Sequence, residues 1–379
     1  MTLDYARVKA LAVEKALALG AGAVRVAPAF ADEESRERMQ TAFARGDFAT
    51  WGYGDEYARQ ANDPSALLEH ARAVVCLAFP YATAEPVAAP LRGRVSNYAW
   101  SRDYHGRVRT VLAEVARAID AAAGDAVTAI ACDTRPLNER AFAAGAGLAW
   151  IGKHTNAIVP GLGSFVFLGE VVTTLPLPAD APLRKTCGTC ARCIDACPTR
   201  ALRGDYTIDA SRCISDLTQR TDEIPRDLRA LVGTWVWGCD LCQTVCPPTQ
   251  NAGTANAGTD DEPLDERAAA PPLIDLLRLR SGEFKRRFAK TAMGWRGAAV
   301  LRRNAAVALG NARDRSAVPA LAEALEYDPH PMVRGHAAWA LGQIGSPSAV
   351  IALERRDGAE QDKGVLSEIR AALEEGRYR

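Results

Sequence analysis

Eight of the ten cysteines in this chain of 379 residues fall within one segment, from residue 187 to residue 246. A first run has intervals of two, two and three residues between its cysteines. A second run has intervals of two and three, and both runs end in Cys-Pro. Thiolates at such short, regular intervals bind metal, and the first run matches the bacterial 4Fe-4S pattern. The eight cysteines are Cys187, Cys190, Cys193, Cys197, Cys213, Cys239, Cys242 and Cys246.

Eight thiolates suffice for two four-iron clusters, because each cluster takes four ligands. In two-cluster ferredoxins the cysteine before the proline binds the other cluster, and by analogy we predict two crossed ligand sets. One set is Cys187, Cys190, Cys193 and Cys246, and the other is Cys197, Cys213, Cys239 and Cys242.

Two other interpretations of the cysteines remain open from spacing alone. Structural zinc sites also use pairs of cysteines two residues apart, but zinc ribbons separate two such pairs widely. Disulfides are the second alternative, and they are uncommon outside oxidising compartments. Since three cysteines here follow one another at intervals of two, and no secretory signal precedes them, the pattern favours iron-sulfur clusters.

The composition is that of a globular protein, with 48% hydrophobic residues and 46 acidic against 46 basic residues. Charged residues interrupt the N-terminal apolar segment, which differs from a signal peptide. No apolar run reaches the ~18 residues that a membrane span requires. We therefore predict a cytoplasmic protein without membrane association, whose affinity for nucleic acid, if any, comes from a local basic patch.

The first ~180 residues alternate between helical and extended patterns, which predicts an α/β or α+β domain. The apolar run 74–79 has the continuous hydrophobicity of a strand buried on both faces, so Cys76 is predicted to be a packed core thiol. Residues 46–64 are predicted to be a loop. Predicted helices cover 3–19, 32–45, 106–123 and 138–146, and predicted strands cover 24–27, 74–79, 126–131 and 164–175.

Two acidic positions in this domain could take part in chemistry. Asp103, Tyr104 and His105 directly precede a predicted helix, and Asp133 follows a predicted strand. Each acid also has a plain structural interpretation, because Asp is favoured at helix N-caps and in turns. Spacing alone favours that structural interpretation.

The C-terminal third is helical and repetitive. The sequence RRNAAVALG at 302–310 recurs as RGHAAWALG at 334–342, which resembles HEAT repeats. Nine basic residues and one acid lie between 278 and 303, which indicates either a solvated helix face or a phosphate-facing surface. The basic residues are Arg278, Arg280, Lys285, Arg286, Arg287, Lys290, Arg296, Arg302 and Arg303.

Several motifs, taken in order, resemble the epoxyqueuosine reductase family. They are CDTRPLNERAFAAGAGLAWIGKHTNAIV, GSFVFLGEVVT, the first cysteine run, RCISDLTQR and GCDLCQTVCP. The resemblance implies an α+β fold with four parts. These are a reductive-dehalogenase-like cobalamin-binding domain (1–178), a ferredoxin-like domain with two 4Fe-4S clusters (179–250), a flexible linker (251–272) and HEAT-like repeats (273–379).

The resemblance also implies roles for individual residues. Asp133 corresponds to the family's proposed proton donor. Residues predicted to contact the cofactor are Tyr104, His105, Asp133, Arg140, Lys153, Asn156, Ala157, Ser215, Cys242 and Gln243. Residues predicted to bind tRNA are Arg286, Arg287, Arg302 and Arg303.

The implied reaction reduces the epoxide of epoxyqueuosine in tRNA to queuosine, with cobalamin as cofactor and electrons relayed by the clusters. The implied partners are the anticodon stem-loop of the tRNA and an external electron donor, and the implied state is a monomer. Two alternative functions share the cysteine pattern: a cobalamin-dependent reductive dehalogenase and an electron carrier without catalysis of its own.

Overall fold

The computed structural model describes residues 3–82, 84–86, 89–124, 126–253 and 266–377. These residues divide into two compact units. Unit 1 comprises the described residues up to 84, residues 103–211 and residues from 241 to 253; unit 2 comprises residues 85–102, 212–240 and those from 266 onward. The predicted ferredoxin-like segment 179–250 is therefore shared between the units. The four-part division of the chain stays a prediction, and residues 254–265 of its linker lie outside the described residues.

The strands, in chain order, are β1 (Ala23–Pro28), β2 (Ala73–Pro80), β3 (Arg94–Val95), β4 (Thr128–Ala131), β5 (Trp150–Ile151), β6 (Ala157–Ile158), β7 (Val166–Thr173) and β8 (Trp235–Trp237). The α-helices are α1 (Tyr5–Ala18), α2 (Glu33–Ala44), α3 (Asp55–Ala61), α4 (Tyr104–Ala123), α5 (Glu139–Gly145), α6 (Arg192–Asp195), α7 (Ile214–Gln219), α8 (Arg226–Val232), α9 (Leu241–Thr244), α10 (Pro247–Ala252), α11 (Glu266–Ala269), α12 (Leu273–Leu277), α13 (Ser281–Phe288), α14 (Ala298–Ala312), α15 (Val318–Tyr327), α16 (Pro331–Ile344), α17 (Pro347–Asp357) and α18 (Lys363–Arg377). None of the described helices is long and apolar enough to cross a bilayer.

Unit 1 is built on a four-stranded antiparallel sheet of order β1-β2-β7-β4. Every residue of β2 is buried, which confirms the prediction of a strand covered on both faces, and Cys76 is a fully buried thiol. Cys76 lies opposite Glu170 of β7, and Ala131 of β4 lies opposite Glu170 from the other side. Side chains of paired residues in a sheet point to the same face. Glu170 therefore lies on the face of the sheet that carries Cys76.

That face packs against α5. Phe142 and Ala143 of α5 belong to the same buried cluster as Cys76, together with Leu168 and Val172 of β7. Since residues two apart in a strand share a face, Glu170, between Leu168 and Val172, faces this cluster as well. An acidic side chain thus points into an apolar core.

The predicted loop 46–64 is wrong at residues 55–61, which form α3. Glycine and proline flank this short helix, and only Ala58 and Ala61 are buried on it. A helix of this length shows too little of the 3.6-residue periodicity to be recognised in a sequence.

Unit 2 contains the helical repeats. The two copies of the repeated motif fall in α14 and α16, and the last residue of each copy is a glycine. A Cβ atom on Gly310 would lie 2.8 Å from the Cα of Ala340 in α16. A Cβ atom on Gly342 would lie 2.7 Å from the Cβ of Ala372 in α18. Glycine at this position of the repeat thus lets α14 approach α16, and α16 approach α18, closely.

Candidate active site and cluster-binding segments

Asp133 lies just after β4, in the loop that leads to α5. Its backbone has φ 54°, a left-handed conformation that Asp tolerates better than most residues. The backbone N–H of Asp133 donates to Oε1 of Glu139 at 2.5 Å. The first residue of α5 therefore holds the loop in place, while the Asp133 side chain is 59% exposed and open to a ligand.

His105 connects Asp133 to the start of α4. Asp103 is the N-cap of that helix and accepts the backbone N–H of His105, which confirms its structural interpretation. The same carboxylate lies 2.6 Å from Nδ1 of His105, and Oδ2 of Asp133 lies 3.1 Å from Nε2. The imidazole is thus hydrogen-bonded by a carboxylate at each nitrogen.

The charges of this triad stabilise one another. The hydrogen bond with His105 is the main cause that lowers the pKa of Asp133. Burial opposes protonation of His105, but its hydrogen bonds with Asp133 and Asp103 prevail, so the pKa of His105 is raised. Both shifts favour a protonated imidazole beside a carboxylate. It can hold a proton next to an exposed acid.

Aromatic stacking fixes the orientation of this imidazole. The ring of Tyr104 stacks on that of His105 at a centroid distance of 4.1 Å and on Phe167 of β7 at 3.9 Å. Phe167 in turn stacks on Tyr81 at 4.2 Å. Stacked rings lock side-chain rotamers, so the sheet determines where His105 presents its nitrogens.

A cavity of about 1130 Å³ lies in the same unit and is lined by Arg140 and Thr155. Arg140 donates to the carbonyl oxygen of Thr155 at 2.9 Å. Trp150 also lines the cavity, and its buried Nε1 has no hydrogen-bond partner among the described residues. A buried indole N–H without an acceptor fits a ligand with polar groups. The size and this donor fit a large cofactor such as cobalamin.

Four of the cluster cysteines come together in unit 1. Burial raises the pKa of Cys193, and the thiols of Cys187 and Cys246 raise it further, which places these sulfurs near one another. Burial also raises the pKa of Cys246, to which Cys187 and Cys190 contribute. These are the four cysteines of the first predicted ligand set.

No three histidine, cysteine or acidic side chains in the described ranges lie close enough to share a single metal ion. In a four-iron cubane each thiolate binds a different iron, so the ligands are spread more widely than around one zinc ion. The four neighbouring thiols therefore fit a cluster better than a mononuclear site.

Lys153 supports the loop that carries the first two of these cysteines. Its Nζ donates to the carbonyl oxygens of Gly188 and Cys190 at 2.8 and 3.1 Å, and its N–H contacts Sγ of Cys187 at 3.4 Å. The predicted cofactor contact of Lys153 stays a prediction. In this structure its ammonium group is used to order the cysteine loop.

The other predicted site residues are divided between the two units. Cys197 accepts the N–H of Ala201 at its sulfur in unit 1, which also contains Cys242, Gln243, Asn156 and the buried Ala157. Unit 2 contains Cys213, Cys239 and Ser215. The second ligand set and the cofactor contacts of Asn156, Ala157, Ser215, Cys242 and Gln243 stay predictions.

Four of the nine basic side chains in the stretch 278–303 are buried or paired with an acid, so the stretch is not a phosphate-facing surface throughout. Arg303 is fully buried, and its guanidinium donates to the carbonyl oxygens of Leu217, Arg220 and Asp222. The prediction that Arg303 contacts phosphate is wrong, because this side chain has no access to solvent.

Arg302 is also occupied, which contradicts its predicted contact with tRNA. It forms an ion pair with Asp328 at 2.6 Å and donates to the carbonyl of Leu279, and its side chain is 11% exposed. Arg278 pairs with Glu323, and Arg287 pairs with Glu283. The partners of Arg302 and Arg278 lie 26 and 45 residues away in sequence, which is why a count of charges within the stretch missed them.

Family models match three parts of the chain. They describe epoxyqueuosine reductase QueG, DUF1730 (residues 62–134), a 4Fe-4S double cluster binding domain (186–249) and HEAT repeats (296–374). The epoxyqueuosine reductase of Bacillus anthracis is 35% identical over 329 residues, which cover 85% of this chain and 86% of that protein. This chain belongs to the epoxyqueuosine reductase family.

Two solved structures of epoxyqueuosine reductases are similar over nearly the whole chain. One contains an epoxyqueuosine-modified stem loop of tRNA-Tyr; it has a TM-score of 0.93 at 32% identity and covers 99% of this chain and 100% of its own. The other, from Bacillus subtilis, has an aspartate catalytic loop swung out of the active site; its TM-score is 0.91 at 32% identity, with 98% and 100% coverage.

Membership of the epoxyqueuosine reductase family confirms the predicted α+β fold with a double-cluster domain and HEAT repeats. It also confirms an oxidoreductase with a binding domain for two 4Fe-4S clusters. Sequence reasoning missed Glu139, Glu170, Phe167 and Trp150. A glutamate inside the apolar strand VFLGEVVT was the one visible signal among them.

Proposed function

We propose that this chain reduces the epoxide of epoxyqueuosine in tRNA to the alkene of queuosine, with Asp133 and His105 as its proton-transfer groups. The observation that carries the proposal is the hydrogen-bonded triad of Asp103, His105 and Asp133, which has an exposed acid at its end. The Bacillus subtilis relative with an aspartate catalytic loop supports a role for an acid in a mobile position.

The reaction consumes two electrons and two protons and releases the epoxide oxygen as water. When bound, cobalamin supplies the reducing centre, and the clusters supply electrons one at a time. The protein's own contribution is the protonation of the departing oxygen, because an alkoxide or hydroxide is a poor leaving group at neutral pH.

Each member of the triad has a distinct task in this proposal. Asp133 lies at the exposed end as a carboxylate and relays a proton to the oxygen. The imidazolium of His105 supplies that proton to Asp133 through the 3.1 Å hydrogen bond. Asp103 holds the imidazole by its other nitrogen and stabilises its positive charge, as carboxylates do for catalytic histidines elsewhere.

The two predicted ligand sets for the clusters are part of the proposal. Replacing Cys213 with Ala is expected to remove one cluster, because the second set then has three thiolates. Iron content after anaerobic reconstitution should fall from about eight to about four per chain. The matched control is Cys76→Ala, which removes a fully buried thiol from β2 and should keep the full iron content. Full iron in the Cys213 variant would exclude this cysteine as a ligand.

Recognition of tRNA is proposed to use the exposed part of the basic stretch. Lys285, Arg286 and Lys290 are exposed, and within the described residues none of the three forms an ion pair. Phosphate contacts make binding salt-dependent, because each contact releases counterions. The earlier set of four arginines is therefore reduced to Arg286, together with the partly neutralised Arg287.

Arg286→Glu is expected to weaken binding of the anticodon stem-loop and to reduce the slope of log K against log salt by about one. The measurement is fluorescence anisotropy with a labelled stem loop at several salt concentrations. Lys363→Glu reverses another exposed charge, at the start of α18, and serves as control. Equal salt slopes for the two variants would leave Arg286 as an ordinary solvated residue.

The remaining parts of the proposal are an external electron donor, a monomeric enzyme and a cytoplasmic location. The electron donor follows from the family reaction, and the cytoplasmic location follows from its substrate. The epoxide must receive electrons from outside the chain, and its substrate is a tRNA.

A further inference from the structure

Glu170 is a fully buried acid that the proposed reaction does not use. It lies in the middle of β7 with no exposed surface, and neither of its carboxyl oxygens has a hydrogen-bond partner among the described residues. A buried ionised carboxylate without a partner is very costly, so such a group is expected to be neutral. Burial raises the pKa of Glu170 well above its usual range, and the nearby Glu139 raises it further.

Glu139 begins α5 and lies one helical turn before Phe142 and Ala143, so it is on the helix face that packs against the Glu170 side of the sheet. Its carboxylate accepts the N–H of Asp133 at 2.5 Å, so the atom that holds the loop is titratable. Burial raises the pKa of Glu139 to about 7, although the hydrogen bond from Asp133 favours the ionised form. Two neighbouring carboxyl groups in a core do not both ionise, because their like charges repel each other.

We propose that Glu139 and Glu170 form a carboxyl pair with a single negative charge, and that this charge on Glu139 positions Asp133 by accepting its backbone N–H. Glu139 is thus a positioning residue for the proton donor, and Glu170 is the neutral member of the pair. The functional consequence rests on the proposed role of Asp133.

The surroundings of Glu139 contain few other charges that could set its ionisation. The strands β5 and β6, which pack on α5, have no titratable side chains, and Arg25 of β1 is directed to Asp180. The groups that act on Glu139 or respond to its charge are Asp133, His105, Arg140, Glu170, Cys76, Cys132 and Tyr57.

The Asp133 loop should be held more firmly at high pH than at low pH. Above about pH 7 Glu139 is ionised and accepts the N–H of Asp133 strongly. Below that pH it becomes protonated and is a weaker acceptor, so the loop is released. Charge-assisted hydrogen bonds are stronger than neutral ones by more than 1 kcal/mol, and the loop should therefore be about tenfold less protected when Glu139 is neutral.

Hydrogen–deuterium exchange of the full chain tests the pair without reference to activity. In the wild type, protection of the peptide 132–138, corrected for the intrinsic rate at each pH, should fall about tenfold as pH decreases through about 7. Glu139→Gln should show the low protection at every pH. Protection that is independent of pH in the wild type would overturn the proposal.

Three further variants complete the test. Glu170→Gln replaces a neutral acid with a neutral amide and should leave the pH of the transition in place; a shift to lower pH would mean that Glu170 carries the charge. Glu114→Gln neutralises a half-buried carboxylate on α4 that pairs with Arg117, and it should exchange as the wild type does. Should Glu139→Gln fail to fold, Glu139→Asp keeps the charge on a shorter side chain and should lower protection while keeping its pH dependence.

Measurements of turnover distinguish the Glu139–Glu170 pair from the proposed role of Asp133 as proton donor. If Asp133 is the proton donor, Glu139→Gln should lower kcat about tenfold with little change in KM for the stem loop. Exchange as expected together with a wild-type rate for Asp133→Asn would uphold the pair and refute the role of Asp133. Exchange that does not respond to Glu139 would refute the pair whatever the turnover.

Discussion

Asp133→Asn is expected to slow the conversion of epoxyqueuosine to queuosine in tRNA by about 10²-fold or more, the scale for loss of a positioned general acid. Asn has nearly the same shape and keeps a hydrogen bond with His105, but it cannot carry a proton. The measurement is a single-turnover assay with a modified stem loop and chemically reduced enzyme, which removes electron delivery as a limit.

The control for Asp133→Asn is its content of cofactors. Iron and corrin should both match the wild type, since Asp133 lies outside the cysteine segments and its side chain is exposed. Asp103→Ser adds a graded comparison, because Ser still caps α4 but removes the carboxylate from Nδ1 of His105. Asp103→Ser is expected to slow turnover less than Asp133→Asn does. A wild-type rate for a loaded Asp133→Asn enzyme would return Asp133 to the role of a turn residue.

Arg303→Met is expected to destabilise unit 2 by about 3–5 kcal/mol, the cost of removing one partner from a buried charged network. Arg303 donates to the carbonyls of Leu217 and Arg220 at 2.8 and 3.0 Å and to Oδ1 of Asn304 at 2.8 Å. Met fills much of the volume but leaves these acceptors buried without donors. Burial lowers the pKa of Arg303 to about 9, so the side chain still carries its charge at pH 7.

Urea unfolding measures this loss, with Arg286→Met as the matched control. Arg286 is exposed on α13, and its replacement should change the free energy of unfolding by less than about 0.5 kcal/mol. Arg303→Lys should fall between the two, because an ammonium group cannot reproduce the planar fork of donors. An Arg303→Met protein of normal stability with a reduced salt slope for tRNA would restore the original prediction.

The sequence predicted those features that depend on the spacing of residues close together in the chain. The cysteine intervals indicated the clusters, the apolar run 74–79 indicated the buried β2, and the repeated motif indicated the stacked helices. Asp103 was recognisable as an N-cap because capping needs only the residues of the next turn. In each case the interacting residues are near neighbours in sequence or repeat at a fixed period.

Contacts between residues that are far apart in the sequence could not be predicted. The carbonyl acceptors for Arg303 lie 81 to 86 residues before it, and nothing in the sequence RRNAAVALG distinguishes this buried arginine from the preceding one. The closeness of Glu139 and Glu170 depends on how α5 packs on the sheet. His105 and Asp133 are 28 residues apart and meet only because the start of α4 lies near the end of β4.

The glycines at the end of each repeated motif have a consequence for protein engineering. In an isolated helix, replacing glycine by alanine stabilises the helix by about 1 kcal/mol, so the substitution is a routine choice for increasing stability. At Gly310 and Gly342 the added methyl group would meet the backbone of the helix after next, α16 or α18, at less than 3 Å. The close packing of these helices thus depends on the absence of a side chain, and an optimised sequence with alanine there would force the paired helices apart.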